Sequence, residues 1–306
     1  LSAKPIKSLM PDFMFRGHRI DDLFDQERRF TLSAEDIALL NPNTRTCPVF
    51  RSQRDAELTK KLYCAAPVLI EEGQPDKNPW GIRFMAMMHM SNDSGLFHDA
   101  PGPGRLPLYE AKMIHQFDHR WATYGADDAS RDVTEVEKSG PNFSVTPRYW
   151  VDAVEVTQRL ADKGWERDWL MGWRDICRAT DERTVIASVV GRVGVNHKLP
   201  LMLCNSAPSV QHVAALYGNL NSLTLDFVAR QKVGGTSLTY HYMKQFPVLP
   251  PDRYTDTDLA FIVPRVLELT YTARDLHPWA ADLGYDGPPF PWNPDRRAIL
   301  QRERHG

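Results

Sequence analysis

His115 and His119 stand four residues apart. On a helix that spacing puts both rings on one face, as in the HExxH zinc site. The zinc chemistry also needs a Glu directly after the first His to act as general base, and Gln116 fills that position, with Asp118 out of register. The segment follows an extended stretch and not a helix start, so the two rings read as polar walls of a pocket. Just upstream, Glu110-Ala111-Lys112 on a predicted strand matches the second half of a PD-(D/E)xK nuclease core. In such a core carboxylates hold Mg²⁺ and the Lys stabilises the attacking water. Asp93 or Asp99 would have to supply the partner carboxylate, without the usual hairpin context. Gly191-Arg192-Val193-Gly194 and Gly234-Gly235 match neither glycine pattern that cradles phosphates.

The elements that must position these residues sit in a chain of 306 residues with a formal net charge of -2, 42% hydrophobic, 25% charged and 10% aromatic. That length and composition fit a folded protein with ample core, and exclude a disordered chain. The near-neutral charge excludes a wholly basic nucleic-acid coat but leaves room for a local basic groove. No apolar run approaches the roughly 20 residues of a membrane span, and the first 16 residues lack the apolar block of a signal peptide. The first residue is Leu, which reads as a piece cut from a longer chain. Cys47, Cys64, Cys177 and Cys204 form no CxxC pair, so they read as buried free thiols in a reducing cytoplasm, with no structural zinc.

Ser33 predicts a helix over Ala34–Leu40, with Asp36 reaching back to complete the cap and Asn41-Pro42-Asn43 ending it. A second helix is predicted over Asp55–Tyr63. Ile82–Met88, Arg183–Val190 and Leu199–Cys204 read as strands, Leu106–Ile114 as extended, and Gly191–Lys198 as a turn. Apolar residues at helical spacing predict one long helix over Val210–Gln231, stopped by Gly234-Gly235. Shorter helices follow near Tyr240–Gln245 and Thr257–Thr272. The proline-rich tail, with Pro278, Pro288, Pro289, Pro291 and Pro294, reads as extended chain laid over the surface. Short strands and long helices without βαβ alternation indicate an α+β fold.

Two stretches concentrate residues suited to nucleic acid. Lys112, His115, Gln116, His119, Arg120, Trp121 and Tyr124 lie in one. Arg230, Lys232, Thr236 and Lys244 lie in the other, where Arg230, Lys232, Lys244 and Arg253 outnumber Asp226 and Asp252 by two charges. Lys, Arg and Thr reach phosphates, while Arg and Gln read base edges. An ordinary polar surface with aromatic packing accounts for the same composition.

The run Leu106-Pro107-Leu108-Tyr109-Glu110-Ala111-Lys112-Met113-Ile114-His115-Gln116-Phe117-Asp118-His119-Arg120 resembles a segment of the target-recognition regions of large N6-adenine DNA methyltransferases. These are the Type IIG and BREX-like enzymes of restriction-modification and phage defence. Asn41–Pro48, Asn78–Gly81, Phe227–Thr236 and Tyr242–Pro250 are similar to flanking runs of the same proteins, so the resemblance covers roughly residues 30–255 in order. Ala111 departs from the Gly that is common in relatives.

The resemblance implies a mixed-sheet recognition domain with bracing helices over 31–255. It also implies a connector from an upstream catalytic domain over 1–30, and a C-terminal helix and proline-rich tail over 256–306. It implies duplex DNA and the methyltransferase domain as partners, with S-adenosylmethionine bound by that parent domain and no cofactor in this chain. The family flips an adenine onto an (N/D)PPY motif. Here Pro288-Pro289-Phe290 follows Gly287, which lacks the side chain that must accept the amino hydrogen bond, so no catalytic residue is assigned. In this reading Lys112, His115, Gln116, His119 and Arg120 are base or phosphate contacts, and Arg230, Lys232, Thr236 and Lys244 are phosphate contacts. The alternatives are a Mg²⁺-dependent nuclease using Glu110 and Lys112, and a protein-interaction module of a defence complex. A competing structural role for the second stretch has its glycines end the long helix while Tyr240 and Tyr242 pack a hairpin of helices.

Overall fold

The computed structural model describes residues 10–15 and 17–303. It is an α+β fold with two four-stranded sheets, one of them mixed. The Ala34–Leu40 helix forms as its cap dictates: the Ser33 hydroxyl accepts from Asp36 N at 3.1 Å and the Asp36 carboxylate accepts from Ser33 N at 2.9 Å. The next helix is longer than expected, Gln53–Ala65, because Ser52 caps it earlier. Among the described residues no helix is long and apolar enough to cross a membrane.

The central sheet is antiparallel, in the order Ala187–Gly191, Trp169–Trp173, Leu201–Cys204, Ile82–Met85. Its two inner strands are buried along their whole length. The mixed sheet runs Gly194–Val195, Arg105–Tyr109, Tyr149–Asp152, Phe97–His98, with the first pair parallel and the others antiparallel. The Gly191–Lys198 stretch is therefore more than a turn, since Gly194 and Val195 carry the chain from one sheet into the other. A Cβ on Gly194 would meet a Val151 methyl at 2.6 Å, so only glycine lets the strands close there.

Two further readings are corrected. The long helix is two helices, Val210–Leu220 and Leu223–Lys232. The break has a cause: the Asn221 side chain hydrogen-bonds both N and O of Ala187 at 3.0 and 3.1 Å, and Ser222 caps the second helix. The proline-rich segment is irregular chain on the surface only over 284–293, and helices flank it. The Asp256–Thr270 helix packs on Val210–Leu220, and the His277–Asp282 and Pro294–Glu303 helices follow. Trp279 and Leu300 belong to the same hydrophobic core as Phe30 and Leu170. Aromatic rings run through that core from Trp165 to Trp169, Trp279, Tyr217 and Phe117, with successive centroids 4.6 to 6.4 Å apart.

At the end of that chain lies a buried ionic knot. Phe117, fully buried, has φ of 58°, a left-handed conformation costly for a bulky residue. It closes a tight turn in which His115 N and Asp118 N each donate to the other residue's carbonyl, at 2.7 and 3.0 Å. The buried Asp118 carboxylate accepts from Lys138 Nζ at 2.6 Å and from Arg120 N at 2.9 Å. Lys138 Nζ also sits over the Trp121 and Trp292 rings at 4.7 and 4.6 Å. Arg297, from the C-terminal helix, donates to Leu269 O at 2.6 Å and to Phe117 O at 3.1 Å. Burial works to raise the Asp118 carboxyl, but Lys138 outweighs it and holds the group below its usual 3.8.

Removing one partner of such a pair leaves a buried charge uncompensated, at a cost of about 3 kcal/mol or more. Asp118→Asn is expected to lower stability by that amount in urea titrations at neutral pH. The folded carboxyl titrates below its unfolded value. The wild-type advantage over Asp118→Asn is therefore complete above about pH 4 and shrinks as acid titrates the folded group. A loss below about 1 kcal/mol would remove the pair from this role.

Candidate nucleic-acid interface

The knot consumes three of the residues expected to touch DNA. Arg120 is fully buried and donates to the carbonyls of Lys138, Gly140, Phe143 and Thr272 at 2.9 to 3.2 Å. His119 is buried, with Nε2 2.9 Å from the Asp275 carboxylate. Burial raises the Asp275 carboxyl, yet attraction to His119 and then Arg120 brings it below its usual value. Gln116 is buried and donates to Val185 O at 2.8 Å. In this fold the three are interior braces, not surface contacts: their bonds go to protein groups, and no face is left for a duplex.

The second stretch divides the same way. Arg230 bonds Asp226 at 2.8 Å and the carbonyls of Ala179, Asp181 and Glu182 at 2.6 to 3.1 Å, locking the loop that precedes the Ala187–Gly191 strand. Lys232 Nζ donates to Leu40 O, Asn41 Oδ1 and Gln245 O at 2.5, 2.7 and 3.0 Å, over the Tyr63 ring at 4.6 Å. Burial pushes the Lys232 ammonium down to about 7, while the three oxygens and the ring favour its charged form. We assign Lys232 as a structural clamp, since three donors spent on three acceptors leave none for phosphate. Lys244 pairs with Glu72 at 2.5 Å. Tyr240 packs on Phe84 and Trp173, residues of two strands of the central sheet, and not within a hairpin of helices. The cysteine reading is corrected in part: Cys177 and Cys204 are buried, Cys47 is half-buried and Cys64 is exposed.

Lys112 and Thr236 remain exposed, and the structure brings them to opposite sides of one segment, Arg174–Cys177. On one side Arg174 Nε donates to Ile114 O at 2.8 Å and Nη2 lies 3.4 Å from Lys112 O. On the other, Cys177 N donates to Thr236 O at 3.1 Å and Leu238 N to Asp175 O at 2.6 Å. A concavity of about 310 Å³ opens here, lined by Glu110, Ala111, Lys112, Arg174, Ile176, Asn196 and Lys198. Its lining holds three basic residues against one acid. Lys112 lies over the Tyr124 ring at 4.5 Å, and Lys198 pairs with Asp175 at 2.7 Å while 40% of its side chain stays exposed.

The nuclease geometry departs from its expectation. Glu110 precedes a single 3-10 turn, Ala111–Met113, and is not on a strand. Its carboxylate accepts from the Tyr124 hydroxyl at 2.5 Å. Asp93 is held by Arg159 at 2.9 Å and by His89 N at 2.6 Å. Among the described residues no group of three or more His, Cys, Asp or Glu is placed to hold a metal ion.

Arg174, Ile176, Asn196 and Lys198 escaped the sequence reading. No sequence signal marks the segment: burial alternates along Trp173-Arg174-Asp175-Ile176-Cys177 with the period of a strand, but the charged Asp175 faces in and the apolar Ile176 faces out. No protein-family model matches the chain, and no curated protein matches it.

His115 borders this face, half-buried, its ring stacked on Trp121 at 4.3 Å. Burial, and then Arg174, push it down to about 4, with Lys138 and Arg183 acting the same way and Asp118 opposing. The unfolded chain therefore binds the extra proton first. Folded stability should fall as pH drops from 6.5 toward 4, with a slope of at most about 1.4 kcal/mol per pH unit. His115→Asn should flatten that part of the urea-midpoint profile, and an unchanged slope would assign the proton elsewhere. Separately, Lys232→Met keeps the apolar stem but strips three buried oxygens of their donor. A loss of about 2 kcal/mol is expected by thermal unfolding, whereas a neutral outcome would contradict the clamp.

Proposed function

We propose that this chain is the DNA-recognition module of an adenine-specific DNA methyltransferase, seating duplex DNA on the concavity that Lys112 and Lys198 line. One observation carries the reading. Two of the runs that resemble target-recognition regions, residues 106–120 and 227–236, lie far apart in sequence, yet both hydrogen-bond to the Arg174–Cys177 segment, and Lys112 of the first and Thr236 of the second stay exposed. Lys112 and Lys198 would position the phosphate backbone, with Thr236 as a further phosphate contact across the Arg174–Cys177 segment. Neither the glycine-rich S-adenosylmethionine loop nor the (N/D)PPY motif occurs in this sequence. Methyl transfer is accordingly assigned to a partner catalytic domain, which also carries the cofactor.

Phosphate contacts release counterions, so affinity should fall steeply with salt. Fluorescence anisotropy with a random-sequence duplex should show binding at low salt. The double variant Lys112→Ala/Lys198→Ala should lower the slope of log affinity against log salt by about two, one for each lost phosphate contact. Lys112 contributes little to folding, whereas losing Lys198 takes from the buried Asp175 carboxylate its 2.7 Å partner, so the variant should melt below wild type and binding is compared at a temperature where both are folded. Binding by the variant with an unchanged slope would move the interface elsewhere on the molecule.

A further inference from the structure

Ile176 stands out on the proposed DNA face. It is 53% exposed, although both neighbours, Asp175 and Cys177, are buried. Its backbone is fixed on both sides: Ile176 forms a β-bridge with Ser237, Cys177 N donates to Thr236 O at 3.1 Å, and Leu238 N donates to Asp175 O at 2.6 Å. Strand alternation turns Asp175 and Cys177 inward and drives the Ile176 side chain outward. A β-branched side chain has few χ1 choices, so this is a stiff apolar projection on a pinned backbone. It lines the same concavity as Lys112, Arg174 and Lys198. Single exposed apolar residues are ordinary, and Val136 and Val154 are more exposed still. Ile176 differs in lying among cationic side chains, on a segment held by hydrogen bonds to a second part of the chain.

We propose that Ile176 is a wedge that enters a base step of duplex DNA, kinking it while Lys112 and Lys198 hold the flanking phosphates. This rests on the DNA-recognition reading above. The chemistry is that of a non-polar side chain partly unstacking two base pairs: the unstacking cost is offset by burying the sec-butyl group between bases and by wrapping the bent duplex onto the basic rim. Fixed backbone matters because a wedge that yields cannot hold a step open. The apolar surface that Ile176 leaves in water in the free protein is covered only in the complex.

The test uses a duplex of about 30 base pairs with donor and acceptor dyes on its ends, a length over which the persistence of DNA keeps unbound ends apart. Energy transfer reports bending, and anisotropy of the same duplex reports binding. Wild-type protein should bind at low salt and raise the transfer efficiency. Ile176→Ala should melt like wild type and bind within about threefold of it, but lose most of the rise in transfer. Ile176→Phe should restore the rise, and Ile176→Asn should not. Binding by wild type without any rise, or an equal rise with Ile176→Ala, overturns the wedge and leaves the recognition reading standing. No wild-type binding at any salt overturns both.

Discussion

The buried pair between Asp118 and Lys138 is the constraint on which the remaining architecture depends. A carboxylate and an ammonium removed from water must satisfy each other and their remaining hydrogen-bonding capacity, or the fold loses several kcal/mol. Here the demand is met from several directions. The Arg120 amide and Lys138 reach the carboxylate, and two indole faces cover the ammonium. Arg297 supports the adjacent Phe117 carbonyl from the last helix. Segments that are distant in sequence can meet this demand only by converging on one point, which joins the C-terminal helices to the turn at Phe117.

That convergence decides which polar residues are free to meet another molecule. Arg120, His119 and Gln116 have the side chains expected of a DNA contact, but the knot and its surroundings use them to bind carbonyls and a carboxylate inside the protein. Lys232 and Arg230 do the same work elsewhere, one fastening the end of the Ala34–Leu40 helix and the other fastening the 179–182 loop. What stays exposed is sparser: Lys112 and Lys198 on a basic concavity that Ile176 also lines, with Thr236 on the other side of the Arg174–Cys177 segment. A polar face with few charges fits a protein whose formal net charge is -2 better than a broad cationic surface would.

Much of the local structure was legible in the chain. The Ser33 cap and Asp36 predict a helix whose bounds the structure reproduces, since capping is decided within four residues. The strands near Ile82, Val189 and Leu201 follow from β-branched and long apolar residues that need no distant partner to be recognised. The α+β class follows from the same local signals. The break at Asn221 was not legible, because the apolar period runs straight through it. Its cause is a side chain that bonds Ala187, a residue 34 positions away. The proline-rich tail was legible over 284–293 and misled on either side: prolines suppress regular hydrogen bonding locally, yet Trp279 and Leu300 are drawn inward by a core assembled from the whole chain.

The sequence by itself determined the fold class, several element boundaries and the residue types available for chemistry, because caps, periodicity and composition act over a few residues. Tertiary structure decided which of those residues reach solvent. Arg120 and Lys112 are eight positions apart and alike in charge, and both suit a phosphate. One is walled in by carbonyls from Lys138, Gly140, Phe143 and Thr272, and the other lies open over Tyr124. Burial depends on neighbours that arrive from afar, and a charged side chain gives no local sign of whether its partner will be a carbonyl of its own chain or the surface of another molecule.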